Sequence, residues 1–215
     1  MKAGNRNVLG DGGYDDGYSG CSCFWGKAPG SLVKEFLERN PSLEGYTVLD
    51  LGCGEGKNAC AFAMAGASVD AVDCSALAIA NGKRAFPNSN INWYAANAAD
   101  YLKSSRNYDL IVMYGLLHCL SSPEEIAAVV GLAQRRTIIG GTHIVVAFND
   151  GPHDLSAHPN FKPTLVPHKF YCEQYRNQQL ISDTDKILHE THPHNNIPHF
   201  HSITRLAARV IHELS

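Results

Sequence analysis

At 215 residues and 44% hydrophobic content, the chain is long enough for one well-buried domain and shows no sign of a second. Its net charge is −3 and its densest basic feature is the Arg135-Arg136 pair, so a nucleic-acid partner, which needs a basic face, is not expected. No apolar stretch approaches the roughly 20 residues that span a bilayer, the amino terminus lacks a secretion pattern, and the seven cysteines follow no staple spacing, so reduced thiols in a cytoplasmic protein away from membranes are expected.

Residues 1–23 read as a flexible arm, rich in Gly, Asn, Asp and Tyr and too polar for a core element. Tyr14 and Tyr18, with Phe24 and Trp25 just beyond, form either a frayed tail or an aromatic flap over a bound ligand. Cys21-x-Cys23 has no second pair at zinc-site spacing and reads as ordinary free thiols. An amphipathic helix follows from Ser31 to Arg39, with Leu32, Phe36 and Leu37 on one side. A strand over 47–51 runs into the turn Gly52-Cys53-Gly54-Glu55-Gly56 and then a small-residue helix that Gly66 stops. The second strand ends at Asp73, and Ser75 caps a helix that Pro87 terminates. A third strand fits 91–95 and a fourth 108–113. Ser122-Pro123-Glu124-Glu125 is a capping box with proline at the first helical position, and its helix turns Ile126, Val129, Val130 and Ala133 to one face. Gly140-Gly141 turns the chain into a fifth strand over 142–148. Residues 151–169, dense in proline and histidine, read as a long loop. A short helix over 169–177 and two β-like runs, 179–188 and 198–210, close the chain as a hairpin. Strands alternating with helices predict an α/β fold: a Rossmann-like three-layer sandwich around a seven-stranded, mostly parallel sheet with an antiparallel C-terminal hairpin, in a single domain over 24–215.

The strand that dives into glycines and re-emerges as a helix is a cradle for a phosphate or a carboxylate. An acidic residue closing the next strand, Asp73, can accept both hydroxyls of a ribose held beside that cradle. Two adenosine-containing cofactors compete. A dinucleotide favours G-x-G-x-x-G, but here the position of its third glycine holds Lys57, and Asp50 stands where a pyrophosphate would be repelled. A zwitterionic amino-acid tail is the better guest, with its ammonium near backbone carbonyls or Asp50 and its carboxylate at the helix N-terminus.

The run Val48-Leu49-Asp50-Leu51-Gly52-Cys53-Gly54-Glu55-Gly56 resembles motif I of the class I methyltransferases that use S-adenosylmethionine. With Tyr108-Asp109-Leu110-Ile111, the glycine pair before the fifth strand and Leu188-His189, the chain is similar to the tellurite-resistance group of small-molecule methyltransferases. It departs from that group at Glu190, where the group carries an arginine suited to an oxyanion. The resemblance implies S-adenosylmethionine as cofactor, S-adenosylhomocysteine as product and no metal. It places Gly52, Cys53 and Gly54 against the methionine portion and Asp73 and Cys74 at the ribose. Asn97 and Ala98 fall at the adenine edge, with Asp100 the rival for the polar contact there, and Tyr114 and Gly115 under the sulfonium; Trp25, read above as part of a flap, is a further candidate contact.

Methyl transfer from a sulfonium is an in-line displacement in which the enzyme chiefly aligns donor and acceptor. A base is needed only where the acceptor must lose a proton. Tyr114, His118 and His189 are the catalytic candidates, although His118 in its apolar stretch also reads as a packing histidine. Histidine is unusually abundant, 11 in all, and His189, His192, His194, His199, His201 and His212 crowd the C-terminal end. His199 and His201 point the same way along a strand and with His189 could form a metal site or base cluster; exposed hairpin histidines are the plainer expectation. The function expected is methyl transfer to a small thiol, amine, hydroxyl or chalcogen oxyanion, by a monomer or homodimer. The competing expectation is a non-catalytic protein that binds S-adenosylmethionine or S-adenosylhomocysteine as a sensor or partner subunit.

Overall fold

A computed structural model describes residues 14–21, 23–88, 90–158, 161–191 and 196–212. Helix α1 (Asp15–Gly20) precedes α2 (Ser31–Arg39), and then strands and helices alternate: β1 (Thr47–Leu51), α3 (Lys57–Met64), β2 (Ser68–Asp73), α4 (Ala76–Ala85) and β3 (Ile91–Ala95). The series continues with α5 (Ala98–Ser104), β4 (Tyr108–Tyr114), α6 (Pro123–Arg135) and β5 (Thr137–His153), and ends with α7 (His168–Glu173), β6 (Gln179–Glu190) and β7 (His199–Arg209). The seven strands form one sheet in the order β3-β2-β1-β4-β5-β7-β6. The first five are parallel, and β7 runs antiparallel between β5 and β6. The fold expected from the sequence is the one observed.

Helices cover both faces, so the central strands are apolar on both sides. Period-two alternation sends Leu49, Ile111 and Met113 into one core with Val129 and Tyr175, and Val48, Leu110 and Val112 into the other with Phe62. The helix starts follow their caps: Ser75 Oγ accepts from the amide of Ala78 (3.0 Å) and Ser122 Oγ from that of Glu125 (3.2 Å).

Several local expectations shift. Gly140-Gly141 is a bulge within β5 rather than a turn before it: Tyr108 pairs with Thr137 but Leu110 with Thr142, and Gly140 takes φ 90°. Strand β5 therefore begins earlier, and it runs on to His153, shortening the expected loop. Helix α5, unforeseen, starts where Asn97 caps it. Of the expected flexible arm, residues 1–13 lie outside the described residues, while 15–20 form a helix whose Tyr18 is buried. His192 and His194 also lie outside the described residues.

In this order β1 is flanked by β2 and β4, so the chain reverses its direction of travel across the sheet there, and the crevice beyond the carboxyl ends of β1 and β4 is where such sheets bind ligands.

Candidate active site

That crevice is a cavity of about 320 Å³. A larger groove, 490 Å³, lies at the opposite, amino ends of the strands beside Arg39, Asp109 and Ile139, away from the glycine turn. We place the site in the former, because glycines, carboxylates and imidazoles converge only there among the described residues.

One end of the cavity is the turn between β1 and α3. Gly52, Gly54 and Gly56 all have left-handed φ (73°, 54° and 84°), a conformation that side chains resist. A Cβ on Gly52 would lie 2.8 Å from Leu116, and one on Gly56 2.3 Å from the Trp93 ring. Glycine is thus required by the packing at Gly52 and Gly56, and Gly52 and Gly54 present bare backbone to the cavity. Asp73 holds this turn to the next strand: its Oδ2 accepts from the Gly54 amide (2.8 Å) and its Oδ1 from the Ser75 amide (2.9 Å). A carboxylate offers about four lone-pair sites, so acceptor capacity remains for a ribose hydroxyl. Burial raises the Asp73 carboxyl, opposed by those two amide bonds.

The polar residues of the motif serve a second purpose that the sequence did not reveal. Buried Glu55 accepts from the amides of Cys23 (3.0 Å) and Phe24 (2.5 Å), and Asn81 Nδ2 donates to it as well. Asn58 Oδ1 accepts from the Gly30 amide (2.9 Å), and Lys57 Nζ donates to the Trp25 carbonyl (3.2 Å). Glu55, Lys57 and Asn58 therefore clamp residues 23–30 over the turn. Asp15 and Ser75 share a short side-chain hydrogen bond that fastens α1 at the same place. The result brings Tyr14, Tyr18 and Trp25 to the cavity wall, with Trp25 edge-on to Tyr14 at 5.1 Å. An aromatic flap, not a frayed tail, is the arrangement observed over residues 14–21 and 23–25.

The other end of the cavity is built by β4, β5 and the closing strands. Tyr114 and Gly115 leave β4 directly beneath it; Gly30 has no Cβ because one would lie 2.3 Å from the Tyr114 ring. His118 is buried, and its Nδ1 accepts from the Phe148 amide (3.1 Å), which puts the ring proton on Nε2. Its ring stacks on Phe148 at 4.1 Å and 5°. Burial holds the His118 imidazole down at about 3, so it stays neutral. Phe148, His158, Leu188 and Glu190 complete this end.

The expected site residues thus divide. Trp25, Gly52, Cys53, Gly54, Asp73, Cys74, Tyr114, Gly115 and His118 line one cavity. Asp50, Asn97, Ala98 and His189 do not. Asp50 is 1% exposed behind the turn, its Oδ2 accepting from the Ala59 amide (2.9 Å), and burial pushes its carboxyl up to about 7. It holds the turn in place through Oδ2 and does not line the cavity. Asn97 Oδ1 is committed to the Ala99 (2.9 Å) and Asp100 (3.2 Å) amides as the cap of α5, which also carries Ala98 away. His189 alternates with Leu188 and Glu190 along β6, so it faces the other side of the hairpin, near the Phe200 ring. Glu190 takes the place in the cavity that His189 was expected to fill. Nor are His199 and His201 exposed: they are 4% and 0% accessible. Sequence reasoning missed His158 altogether and Tyr14 and Tyr18 as certain wall residues; Glu55 was read only as part of the turn motif, and for Glu190 the departure from the family's arginine was the one visible signal.

Residues 48–141 match the family described as a methyltransferase domain. No curated protein matches the chain by sequence. Among solved structures, TehB from Haemophilus influenzae is similar at 21% identity and a TM-score of 0.67, over 84% of this chain and 62% of that one. A protein described in the conversion of a disulfide bond into a thioacetal group during echinomycin biosynthesis is 19% identical, TM-score 0.70, over 94% and 91%. The Burkholderia thailandensis 1,6-didemethyltoxoflavin-N1-methyltransferase, solved with its namesake compound and S-adenosylhomocysteine, is 16% identical, TM-score 0.64, over 96% and 93%. The family match and the shared fold agree: residues 48–141 form a methyltransferase domain, and the chain has the fold of the methyltransferases to which it is similar.

Proposed function

We propose that this protein methylates a small molecule at a thiol, amine or hydroxyl. The supporting observation is a single cavity with the glycine turn and Asp73 at one end and a box of imidazole, phenyl and carboxylate side chains at the other. When bound, S-adenosylmethionine supplies a methyl group on a positively charged sulfur. The glycine turn accommodates its amino-acid tail by backbone contact, and Asp73 accepts its ribose hydroxyls. Tyr114 and Gly115 form the floor between the two ends. His118 does not act as a base here: Nδ1 is occupied by the Phe148 amide and the ring is held neutral, so Nε2–H is left to donate to the acceptor and aim its lone pair. Glu190 adds negative charge where an oxyanion would have to sit, which turns the reading away from chalcogen oxyanions and toward neutral or cationic acceptors.

A sensor that binds the cofactor without turnover would fit a cavity closed off by the loop after β5. Instead His158 of that loop, with Leu188 and Glu190 of β6, lines open space beside the cradle. The test is a panel of thiols, amines, phenols and selenium and tellurium oxyanions incubated with S-adenosylmethionine, with S-adenosylhomocysteine release followed by mass spectrometry. Release with one heteroatom class and none with the oxyanions is expected. Tight binding of S-adenosylhomocysteine without turnover on any acceptor would favour the sensor, and preferential turnover of an oxyanion would overturn the substrate class.

A further inference from the structure

Three imidazoles outside the cofactor cradle converge on one point. His158 comes from the loop after β5, and His199 and His201 come from β7; all three are buried, and one ring nitrogen from each lies within 4.8 Å of the others. Glu190, on the neighbouring strand, places Oε1 3.8 Å from His199 Nε2 and 3.6 Å from His201 Nε2.

Hydrogen bonds point the right nitrogens of the two β7 imidazoles inward, while His158 Nε2, which donates to His199 Nε2, offers its lone pair once its proton moves to Nδ1. His199 Nδ1 lies 2.7 Å from the Ile197 carbonyl, so it carries the proton and leaves Nε2 a lone pair. His153 Nε2 lies 2.7 Å from the Asn149 carbonyl, so His153 accepts at Nδ1. The ring nitrogen 3.4 Å away, His201 Nδ1, must then be its donor. That leaves the lone pair of His201 Nε2 facing the cluster, fully buried and without a hydrogen bond. A metal-bound histidine characteristically donates its other N–H to a carbonyl or similar acceptor, and both β7 imidazoles are already arranged so. The spacing also fits. His158 Nε2 and His199 Nε2 are 3.3 Å apart, and two ligands at about 2.0–2.1 Å in a tetrahedral zinc site sit about 3.3 Å from each other.

We propose that His158, His199, His201 and Glu190 bind one divalent transition-metal ion, Zn²⁺ being the best match to this nitrogen-and-carboxylate set. The ion ties the loop that carries His158 to the closing hairpin. Because His158 and Glu190 also line the cavity, it fixes the acceptor end of the active site from behind. This goes beyond methyl transfer and against the metal-free expectation drawn from the family resemblance; with the ion bound the Glu190 charge is offset, so the preference against oxyanions belongs to the metal-free protein.

The test uses untagged full-length protein freed of metal by chelator dialysis. Zn²⁺ binding is measured by calorimetry against a competing chelator, and Co²⁺ binding by its visible absorption. The variants are His158→Gln and Glu190→Gln, with His189→Gln as the neighbouring histidine outside the cluster; S-adenosylhomocysteine binding and melting temperature report that each is folded. One ion per chain is expected in the wild type and in His189→Gln. Affinity should fall about 100-fold or more in His158→Gln and about tenfold in Glu190→Gln, and Co²⁺ should give the intense bands of a four-coordinate site. Binding that is undiminished in His158→Gln, or no saturable binding in the wild type, would overturn the proposal.

Discussion

The two ends of the cavity are assembled in opposite ways. The cofactor end comes from two successive strand ends, and its shape is fixed by backbone: three left-handed glycines after β1, and one carboxylate at the end of β2 that ties them to that strand. The histidine end draws on residues 114, 118, 148, 158, 188 and 190, which meet only because β5, β6 and β7 pair in a particular register. A cradle made by local backbone can be recognised along the chain, whereas a box made by register cannot. The same contrast predicts how each end fails: the first through strain, the second through lost side-chain chemistry.

The largest effect is expected at the cradle. Gly56→Val forces a branched residue to φ 84° and drives its Cβ into the Trp93 ring. Left-handed backbone costs about 1–2 kcal/mol and overpacking about 1–3 kcal/mol more, so urea denaturation should show a loss of about 3 kcal/mol. A neutral substitution would mean the turn is far more compliant than its contacts imply. Next is Asp73→Ala, which removes a charged acceptor for the ribose and should weaken S-adenosylhomocysteine by about 2 kcal/mol, roughly 30-fold, in calorimetry. Unchanged affinity would break the assignment of the ribose to this strand end.

These expectations also show how far the sequence could be read. The strand, glycine turn and Asp73 were legible because their spacing encodes a local shape, and the mostly parallel seven-stranded sheet followed from the alternation of elements. Asn97 and Ala98 misled because a short polar residue after a strand serves equally as a helix cap, which is what Asn97 does. His189 misled by one position: period-two alternation puts every other residue of β6 in the cavity, and a slip of one exchanges His189 for Glu190. Glu55 was read as part of a ligand motif, yet its side chain, with those of Lys57 and Asn58, clamps residues 23–30, contacts too distant in sequence to be inferred from spacing.

At the histidine end, His118 separates packing from chemistry. His118→Leu leaves the Phe148 amide without its acceptor in a buried place, at a cost of about 1–3 kcal/mol in stability. His118→Asn offers a side-chain oxygen where Nδ1 was, but no Nε2–H. If His118 orients the acceptor, the asparagine variant recovers the stability while kcat stays low and the KM for S-adenosylmethionine is unchanged. Recovery of kcat along with stability would reduce His118 to a packing residue.

The smallest effect comes from a histidine at neither end, and it calibrates the rest. His143 is fully buried beneath β5, but both of its ring nitrogens are met by hydroxyls, Thr137 Oγ1 at 2.7 Å and Tyr175 Oη at 2.9 Å. Burial holds its imidazole down at about 3, whereas an unfolded histidine protonates near about 6.5. Between those values the unfolded chain binds the extra proton, so this group makes stability rise with pH and withdraws it as pH falls from about 6.5 toward 3. Asp50 acts in the opposite sense: raised to about 7, it is protonated in the fold where the unfolded carboxyl is not, and its contribution fades as pH climbs toward that value. The total slope therefore mixes signs, and only a difference isolates His143. His143→Gln should flatten the plot of stability against pH, measured by urea denaturation between pH 4 and 6, by about 1 kcal/mol per unit. Parallel curves for variant and wild type would show that His143 takes up its proton without unfolding; burial with both nitrogens satisfied would then not be what keeps an imidazole of this protein neutral.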